Sequence, residues 1–287
     1  MRLHVGVLFA AACTLTACGG LLQDTEEVAN STGDVMSSFD EAGQGGSFAY
    51  LMPLRRTDYS SPTFLQRVSN AVIPSAEASG ACVLETFSAC SNGDRNKMFD
   101  DCTFGASSLS GSVDLAFSQS DCSLMNVGDS VTRTANFTLT GASAASLTVS
   151  APNGGQTITK TADGWSYSVG GMERIGKDSK GTTQFDISTT TLSDISVTGN
   201  RRDGRVMTGG QLQVKHNLAG YTAVLTPNNI TWNATCNCAV SGSFAGTVTN
   251  EAGKSESFTV DITGCGKATV TTQSKTKDVT LDRCAGI

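Results

Sequence analysis

The sequence predicts a mainly β protein, built as an antiparallel β-sandwich or an extended β-meander, held by disulfides and preceded by a flexible tether with a short helix. Three observations support this class. Apolar and polar residues alternate with a period of two from Cys82 onward, tight-turn residues separate the alternating runs, and cysteines are numerous. Such alternation indicates strands with one dry and one wet face, as in antiparallel sheets.

The N-terminal residues have the pattern of an export signal. Arg2 provides a positive charge, and small residues precede Cys18. The apolar run between them spans about 13 residues, which suits the core of a signal peptide and is too short to cross a bilayer. We therefore expect residues 1–17 to be a cleaved signal peptide.

The end of this leader, Leu15-Thr16-Ala17-Cys18, resembles the lipobox of bacterial lipoproteins, in which an aliphatic and two small residues precede the lipidated cysteine. The resemblance implies that Cys18 carries a diacylglyceryl group and, after acylation of the new amino terminus, several acyl chains such as palmitate. Several buried chains make membrane attachment effectively permanent. Gly19 stands where an Asp would be the inner-membrane retention signal, so the resemblance implies an outer-membrane lipoprotein. The alternative is an ordinary secretory leader with an incidental cysteine.

We predict that residues 18–80 form a lipidated tether with short helical segments. The first part is polar and rich in glycine, as in flexible linkers. Ser61 and Pro62 suit the N-cap and first position of a short helix. The apolar residues that follow on one face of that helix are Leu65, Val68 and Val72.

We predict that residues 81–287 form the β region, either as one large domain or as two modules, 81–160 and 161–287. The clearest alternating runs lie at 109–117, 131–139, 145–149, 165–169, 221–225, 230–232 and 258–262. Tight turns need residues that adopt positive φ angles. We therefore expect hairpin turns at Asn153-Gly154-Gly155, Asp163-Gly164, Gly170-Gly171, Asp203-Gly204 and Gly209-Gly210.

Eight cysteines remain once Cys13 leaves with the leader and Cys18 is lipidated. They are Cys82, Cys90, Cys102, Cys122, Cys236, Cys238, Cys265 and Cys284. An even set in an exported chain predicts disulfides, because the cell envelope is oxidising. Their clustering predicts that the first four pair among themselves and the last four likewise. The connectivity within each set stays open.

A zinc site or a redox role is the alternative for the last four cysteines. Structural zinc usually uses two Cys-x(2–4)-Cys pairs, and the spacing of Cys236 and Cys238 does not supply one. On a strand, these two side chains share a face and reach neighbouring segments more easily than each other. We therefore expect disulfides, with no metal and no cofactor.

The charge distribution argues against a nucleic-acid partner. Charged residues make up 16% of the chain and the net charge is −6, whereas nucleic-acid binding requires a basic surface. The one concentration of positive charge is Arg201, Arg202 and Arg205, around an expected hairpin tip. These side chains could contact anionic polysaccharide or lipid headgroups. A solvated hairpin that resists edge pairing is the alternative.

Catalytic signals are sparse. His216 is the one histidine outside the leader, so it is the candidate base of an envelope hydrolase with a nearby Ser or carboxylate. The chain has no Gly-x-Ser-x-Gly elbow, and His216 lies in phase with the apolar Leu212 and Val214. We expect a packed or strand-edge histidine and no enzymatic activity.

Residues 80–287 also resemble a group of β-rich, cysteine-containing lipoproteins of Gram-negative bacteria. The residues that carry this resemblance are Thr132-Arg133-Thr134, Trp232 before Cys236-Asn237-Cys238, Ser241-Gly242 and the closing Leu281-Asp282-Arg283-Cys284. That group has no assigned activity, so the resemblance implies no catalytic residue.

Together these features predict a membrane-anchored envelope lipoprotein with a non-enzymatic binding, adhesive or structural β module. Its partners would be the membrane, through the lipid, and an envelope protein or glycan. The alternatives are the hydrolase that uses His216 and a carrier of a hydrophobic ligand, because periodicity does not distinguish a filled core from an open apolar interior.

Overall fold

The computed structural model describes residues 87–104, 107–141, 144–199, 204–233, 235–236, 239–273 and 275–280. These residues form fourteen β-strands and, within the same ranges, no helix. The predicted mainly β class is therefore confirmed. None of these residues belongs to a helix that could cross a membrane. The expected signal peptide, Cys18, the tether and its short helix lie outside the described residues.

The strands follow one another closely along the chain. They are β1 (Asp94–Phe104), β2 (Ser107–Phe117), β3 (Ser130–Thr140), β4 (Ser146–Lys160), β5 (Gly164–Lys177), β6 (Thr183–Ser193), β7 (Ile195–Thr198), β8 (Val206–Thr208), β9 (Gln211–His216), β10 (Tyr221–Trp232), β11 (Ala239–Asn250), β12 (Ser255–Gly264), β13 (Lys267–Thr272) and β14 (Thr276–Thr280).

All fourteen strands belong to one antiparallel sheet with a meander topology. Its main path runs β1-β2-β3-β4-β5-β6-β9-β10-β11-β12-β13-β14. β6 and β7 pair with successive parts of β5, and β9 and β8 pair with successive parts of β10. Each of these two pairs is therefore one interrupted strand. The sheet continues through the β4–β5 pairing, so residues on both sides of position 160 share it.

The strand residues alternate between a buried face and a hydroxyl-rich outer face. On β3 the buried residues Val131, Ala135 and Phe137 alternate with partly exposed threonines. Those threonines pair across β3 and β4, with oxygen–oxygen distances of 2.9 Å for Thr132 and Thr157 and 3.1 Å for Thr138 and Thr148. Beta-branched pairs of this kind stabilise neighbouring strands.

Only some of the expected hairpin turns occur. Asp163-Gly164 lies in the turn between β4 and β5, where the Thr161 N–H donates to the Gly164 carbonyl at 2.9 Å. Asn153-Gly154-Gly155 lies inside β4 and Gly170-Gly171 inside β5, so the turn predictions for these two segments are wrong. Gly209-Gly210 joins β8 to β9 without reversing the chain, because both strands run antiparallel to β10.

The glycines that were wrongly predicted as turns lie at β-bulges instead. Positive φ angles serve a bulge as well as a turn, and a glycine allows a neighbouring backbone to approach closely. Gly154 and Gly155 have φ angles of 100° and 73°. The β4–β5 register shifts between Ser150 and Gly155, so β4 contains extra residues there. For Asp203-Gly204, Asp203 lies outside the described residues.

These irregularities form a line across the sheet, which we call the seam. Its members are residues 151–155 of β4, Gly170-Gly171 of β5, Asp194 between β6 and β7, Gly209-Gly210 between β8 and β9, Asn229 of β10 and Gly242 of β11. Neighbouring members touch: a Cβ on Gly210 would lie 2.3 Å from the Asp194 carbonyl oxygen, and one on Gly242 would lie 2.3 Å from that of Asn229. Bulges increase the local twist, so the sheet bends along the seam.

The core consists of two apolar clusters. The larger includes Val131 of β3 and residues of every strand from β4 to β14, and the smaller includes Ala135 and residues of β1, β2, β4 and β5. Arg133 lies between Val131 and Ala135 on the same face, and it pairs in register with Gln156. Gln156 is 1% exposed, and its amide atoms have no hydrogen-bond partner among the described residues. A polar layer thus separates the two clusters at the seam.

Two disulfides connect neighbouring segments. Cys90 bonds to Cys122 and Cys236 bonds to Cys265. Cys102 is also disulfide-bonded, and its bridge extends outside the described residues. The prediction of disulfides is confirmed, and both pairs fall within the predicted groups of four.

Candidate binding groove

The seam carries a groove of about 490 Å³ on the outer face of the sheet. It is lined by Thr132, Asn153, Gly154, Gly155, Thr157, Ser168, Val169, Gly170, Thr191, Leu192, Ser193 and Asp194. These residues come from β3 to β6 and from the break between β6 and β7. A volume of this size lies in the range of small-ligand sites.

Glycine residues make the groove possible because they bring the bulged backbones together. A Cβ on Gly155 would lie 2.1 Å from the Arg133 carbonyl oxygen, and one on Gly170 would lie 2.3 Å from the Asn153 carbonyl oxygen. Real Cβ atoms do not approach oxygen so closely, so larger residues at these positions would push the strands apart. Gly154 faces open space, with no atom within 4 Å of a Cβ built on it.

Side chains accept hydrogen bonds from backbone N–H groups that have lost their partners on the neighbouring strand because of the bulges. The Ala151 N–H donates to Oδ1 of Asn136 at 3.1 Å. The Val169 N–H donates to Oγ1 of Thr191 at 2.9 Å. Because the bulged backbone is hydrogen-bonded in this way, the groove has a defined shape and avoids the cost of unpaired buried groups.

The polar lining consists mainly of hydroxyl groups. Thr132 and Thr157 form the hydroxyl pair described above, Ser168 lies in register with Thr157, and Ser193 also lines the groove. Asp194 is the one ionisable residue of the lining in the part of the chain that the structure describes, and its Oδ2 accepts a hydrogen bond from Ser166 Oγ at 3.1 Å. Leu192 adds an apolar surface and is 53% exposed. The groove can therefore both donate and accept hydrogen bonds, with one negative charge at its edge.

His216 lies at a second groove of about 350 Å³, next to the β9–β10 turn. Other residues of this groove include Lys215, Tyr221 and Glu251. His216 is 4% exposed, and its ring centroid lies 5.4 Å from that of Tyr221. The histidine is therefore packed, as the sequence phase predicts.

The hydrogen bonding of His216 is unfavourable for a general base. Its Nδ1 accepts the Ala219 N–H at 3.0 Å, which holds the four-residue turn together. Burial lowers the pKa of His216, against an opposing effect of the Asp186 charge. A neutral imidazole that accepts at Nδ1 carries its proton on Nε2 and has no free lone pair for proton abstraction.

Lowering the pH from about 7 to 5.5 is expected to reduce the free energy of unfolding through His216. The folded pKa lies below the unfolded value of about 6.5, so the unfolded chain binds the proton first and is favoured as the pH falls through that value. Urea unfolding at several pH values measures this slope. His216→Gln, whose amide oxygen can still accept from Ala219, should reduce the slope; an unchanged slope would contradict this assignment.

Arg205 does not lie on an exposed hairpin tip. It is 2% exposed and directly precedes β8, in phase with the buried Met207. Its carbonyl oxygen accepts a hydrogen bond from the Trp232 N–H at 3.4 Å, so Arg205 extends the pairing of β8 with β10 by one residue. The burial of Arg205 thus departs from the exposed hairpin position that the sequence predicts. Arg201 and Arg202 lie outside the described residues.

The cysteines assemble no metal centre in the part of the chain that the structure describes. There, no group of three or more His, Cys, Asp or Glu side chains is placed to hold a metal ion. Cys236 instead bonds to Cys265 in the β12–β13 turn, a neighbouring segment as the sequence predicts. Cys82, Cys238 and Cys284 lie outside the described residues.

No protein-family model, curated protein or solved structure matches this chain. The candidate site is therefore defined by the residues of this chain alone. Sequence reasoning missed the groove because it assigned its glycines to turns. A glycine pair flanked on both sides by continuing alternation, as in Val169-Gly170-Gly171-Met172, is the signal that indicates a bulge.

Proposed function

We propose that this protein is a lipid-anchored lipoprotein of the bacterial cell envelope, whose β module binds a partner through the seam groove. The proposed module is non-enzymatic: it recognises and holds its partner and does not transform it. The observation that carries this proposal is the groove itself, a pre-formed polar site on the outer face of a disulfide-linked sheet.

Two kinds of observation support the cellular location in this proposal. The leader with its lipobox motif at Cys18 supports export and lipidation, and the disulfides support an oxidising compartment. The carrier alternative receives less support, because apolar side chains of many strands fill the interior as the larger cluster. The hydrolase alternative receives less support from the hydrogen bonding of His216.

Replacing the proposed lipidation site should abolish membrane attachment. In the full-length precursor, Cys18→Ser removes the thiol that would receive the lipid, so we expect the protein to leave the membrane fraction and to keep its leader. Cys13→Ser, in the same leader, is the matched control and should leave both processing and attachment unchanged. Fractionation and the mass of the N-terminal peptide measure the result. Membrane attachment that survives Cys18→Ser would contradict the lipid anchor.

Binding by the module is tested with the purified lipoprotein in detergent. Immobilised protein should retain a component of solubilised envelope material, and treating that material separately with protease or periodate identifies a protein or a glycan partner. A protein that retains no component, yet converts a substrate in envelope extracts, would overturn the binding proposal.

A further inference from the structure

We infer that the seam groove recognises an uncharged, polyhydroxylated ligand, that is, a neutral segment of an envelope glycan. This inference rests on the proposed binding function and names the ligand class of the same site. It follows from the charge, the hydrogen-bonding character and the apolar surface of the groove.

The charge of the lining favours a neutral ligand. Among the described residues, Asp194 is the one ionisable member of the lining, and none of the others is Lys, Arg or His. An anionic ligand would meet this carboxylate without a cation to pair with. A cationic ligand would find a single carboxylate that already accepts a hydrogen bond from Ser166. Neither sign of charge is matched by the groove.

The hydrogen-bonding groups of the lining match the hydroxyls of a sugar. Threonine and serine hydroxyls each donate one hydrogen bond and accept others, as sugar hydroxyls do. Thr132 and Thr157 present such groups 2.9 Å apart, and Ser168 follows on β5 in register with Thr157. This row of hydroxyls crosses three neighbouring strands. Asn153 adds an amide that can donate and accept.

The apolar part of the lining suits the C–H face of a sugar ring. Leu192 lines the same groove and is 53% exposed, although large apolar side chains are mostly buried among the described residues. Gly154, also in the lining, leaves space open, because no atom of the described residues lies within 4 Å of the position that a Cβ would take. A sugar ring that contacts Leu192 would thus lie in the same groove as the hydroxyl row.

The test compares two hydroxyl pairs on the same two strands. Thr157→Val removes a hydroxyl inside the groove, and Thr148→Val removes the equivalent hydroxyl of the Thr138–Thr148 pair, which is outside the groove. Valine keeps the β-branched shape that strands favour, so both variants should fold. The probes are arrays of neutral and of uronic-acid-containing oligosaccharides, followed by calorimetry with those that bind the full-length protein.

We expect neutral oligosaccharides to bind, Thr157→Val to weaken binding about tenfold, as for one lost hydrogen bond, and Thr148→Val to leave it unchanged. Preference for the acidic oligosaccharides, no oligosaccharide binding, or equal effects of the two variants would overturn the inference. If the protein still retained an envelope component in those cases, the proposed binding function would stand. If it retained none, both would fail.

Discussion

Replacing Gly155 by alanine is expected to lower the free energy of unfolding by about 3 kcal/mol or more, since it combines a strained backbone with a steric clash. Its φ angle of 73° lies in the left-handed region. The new Cβ would lie 2.1 Å from the Arg133 carbonyl oxygen, so β3 and β4 must separate at the seam. Chemical unfolding of the purified variant measures the loss.

Gly154→Ala is the matched control at the neighbouring position. Its φ angle is 100°, but nothing lies within 4 Å of the new Cβ. This variant should therefore lose only the backbone contribution of about 1–2 kcal/mol. Equal losses for Gly154→Ala and Gly155→Ala would contradict the close approach of β3 and β4 at the seam.

Removing the Cys236–Cys265 disulfide with a double alanine substitution is expected to destabilise the protein by about 3–4 kcal/mol from loop entropy. The sequence separation is 29 residues. Cys236 is fully buried, and Cys265 packs against the larger apolar cluster. Removing these sulfurs, which leaves only the Cβ methyl groups, should therefore add roughly 1 kcal/mol for lost packing. Denaturant unfolding without reductant measures the total.

The Cys90–Cys122 disulfide is the matched control for that loss. Its sequence separation of 32 residues gives a similar loop entropy, but Cys90 is exposed. The corresponding double alanine variant should consequently lose less stability than the Cys236 and Cys265 variant. A larger loss at the exposed bridge would show that burial of the sulfurs does not govern the difference.

The strands could be predicted from the sequence because alternation of two residue classes directly reflects the two faces of a sheet. Val131, Ala135 and Phe137 are buried, and the threonines between them are partly exposed. Disulfide pairing within the first cysteine group and within the last was also predictable, because strands that are neighbours in a meander are close in sequence. The chosen partners within each group depend on three-dimensional positions that spacing does not encode.

The groove could not be predicted because glycine serves turns and bulges alike. Gly170-Gly171 lies inside β5, whereas Asp163-Gly164 lies where the chain turns from β4 into β5. The position of Arg205 was missed for a related reason. A cluster of arginines suggests a solvent-exposed position, whereas the alternation with Met207 places Arg205 on the buried face of the sheet.

Hydrogen exchange of the protein with and without its retained envelope component tests most directly whether the seam groove is the binding site. The proposed function predicts added protection of backbone amides in residues 151–157, 168–170 and 191–194, the segments that line the groove. Amides of the β9–β10 turn around His216 should be unchanged. Protection confined to that turn, with none along the seam, would contradict the assignment.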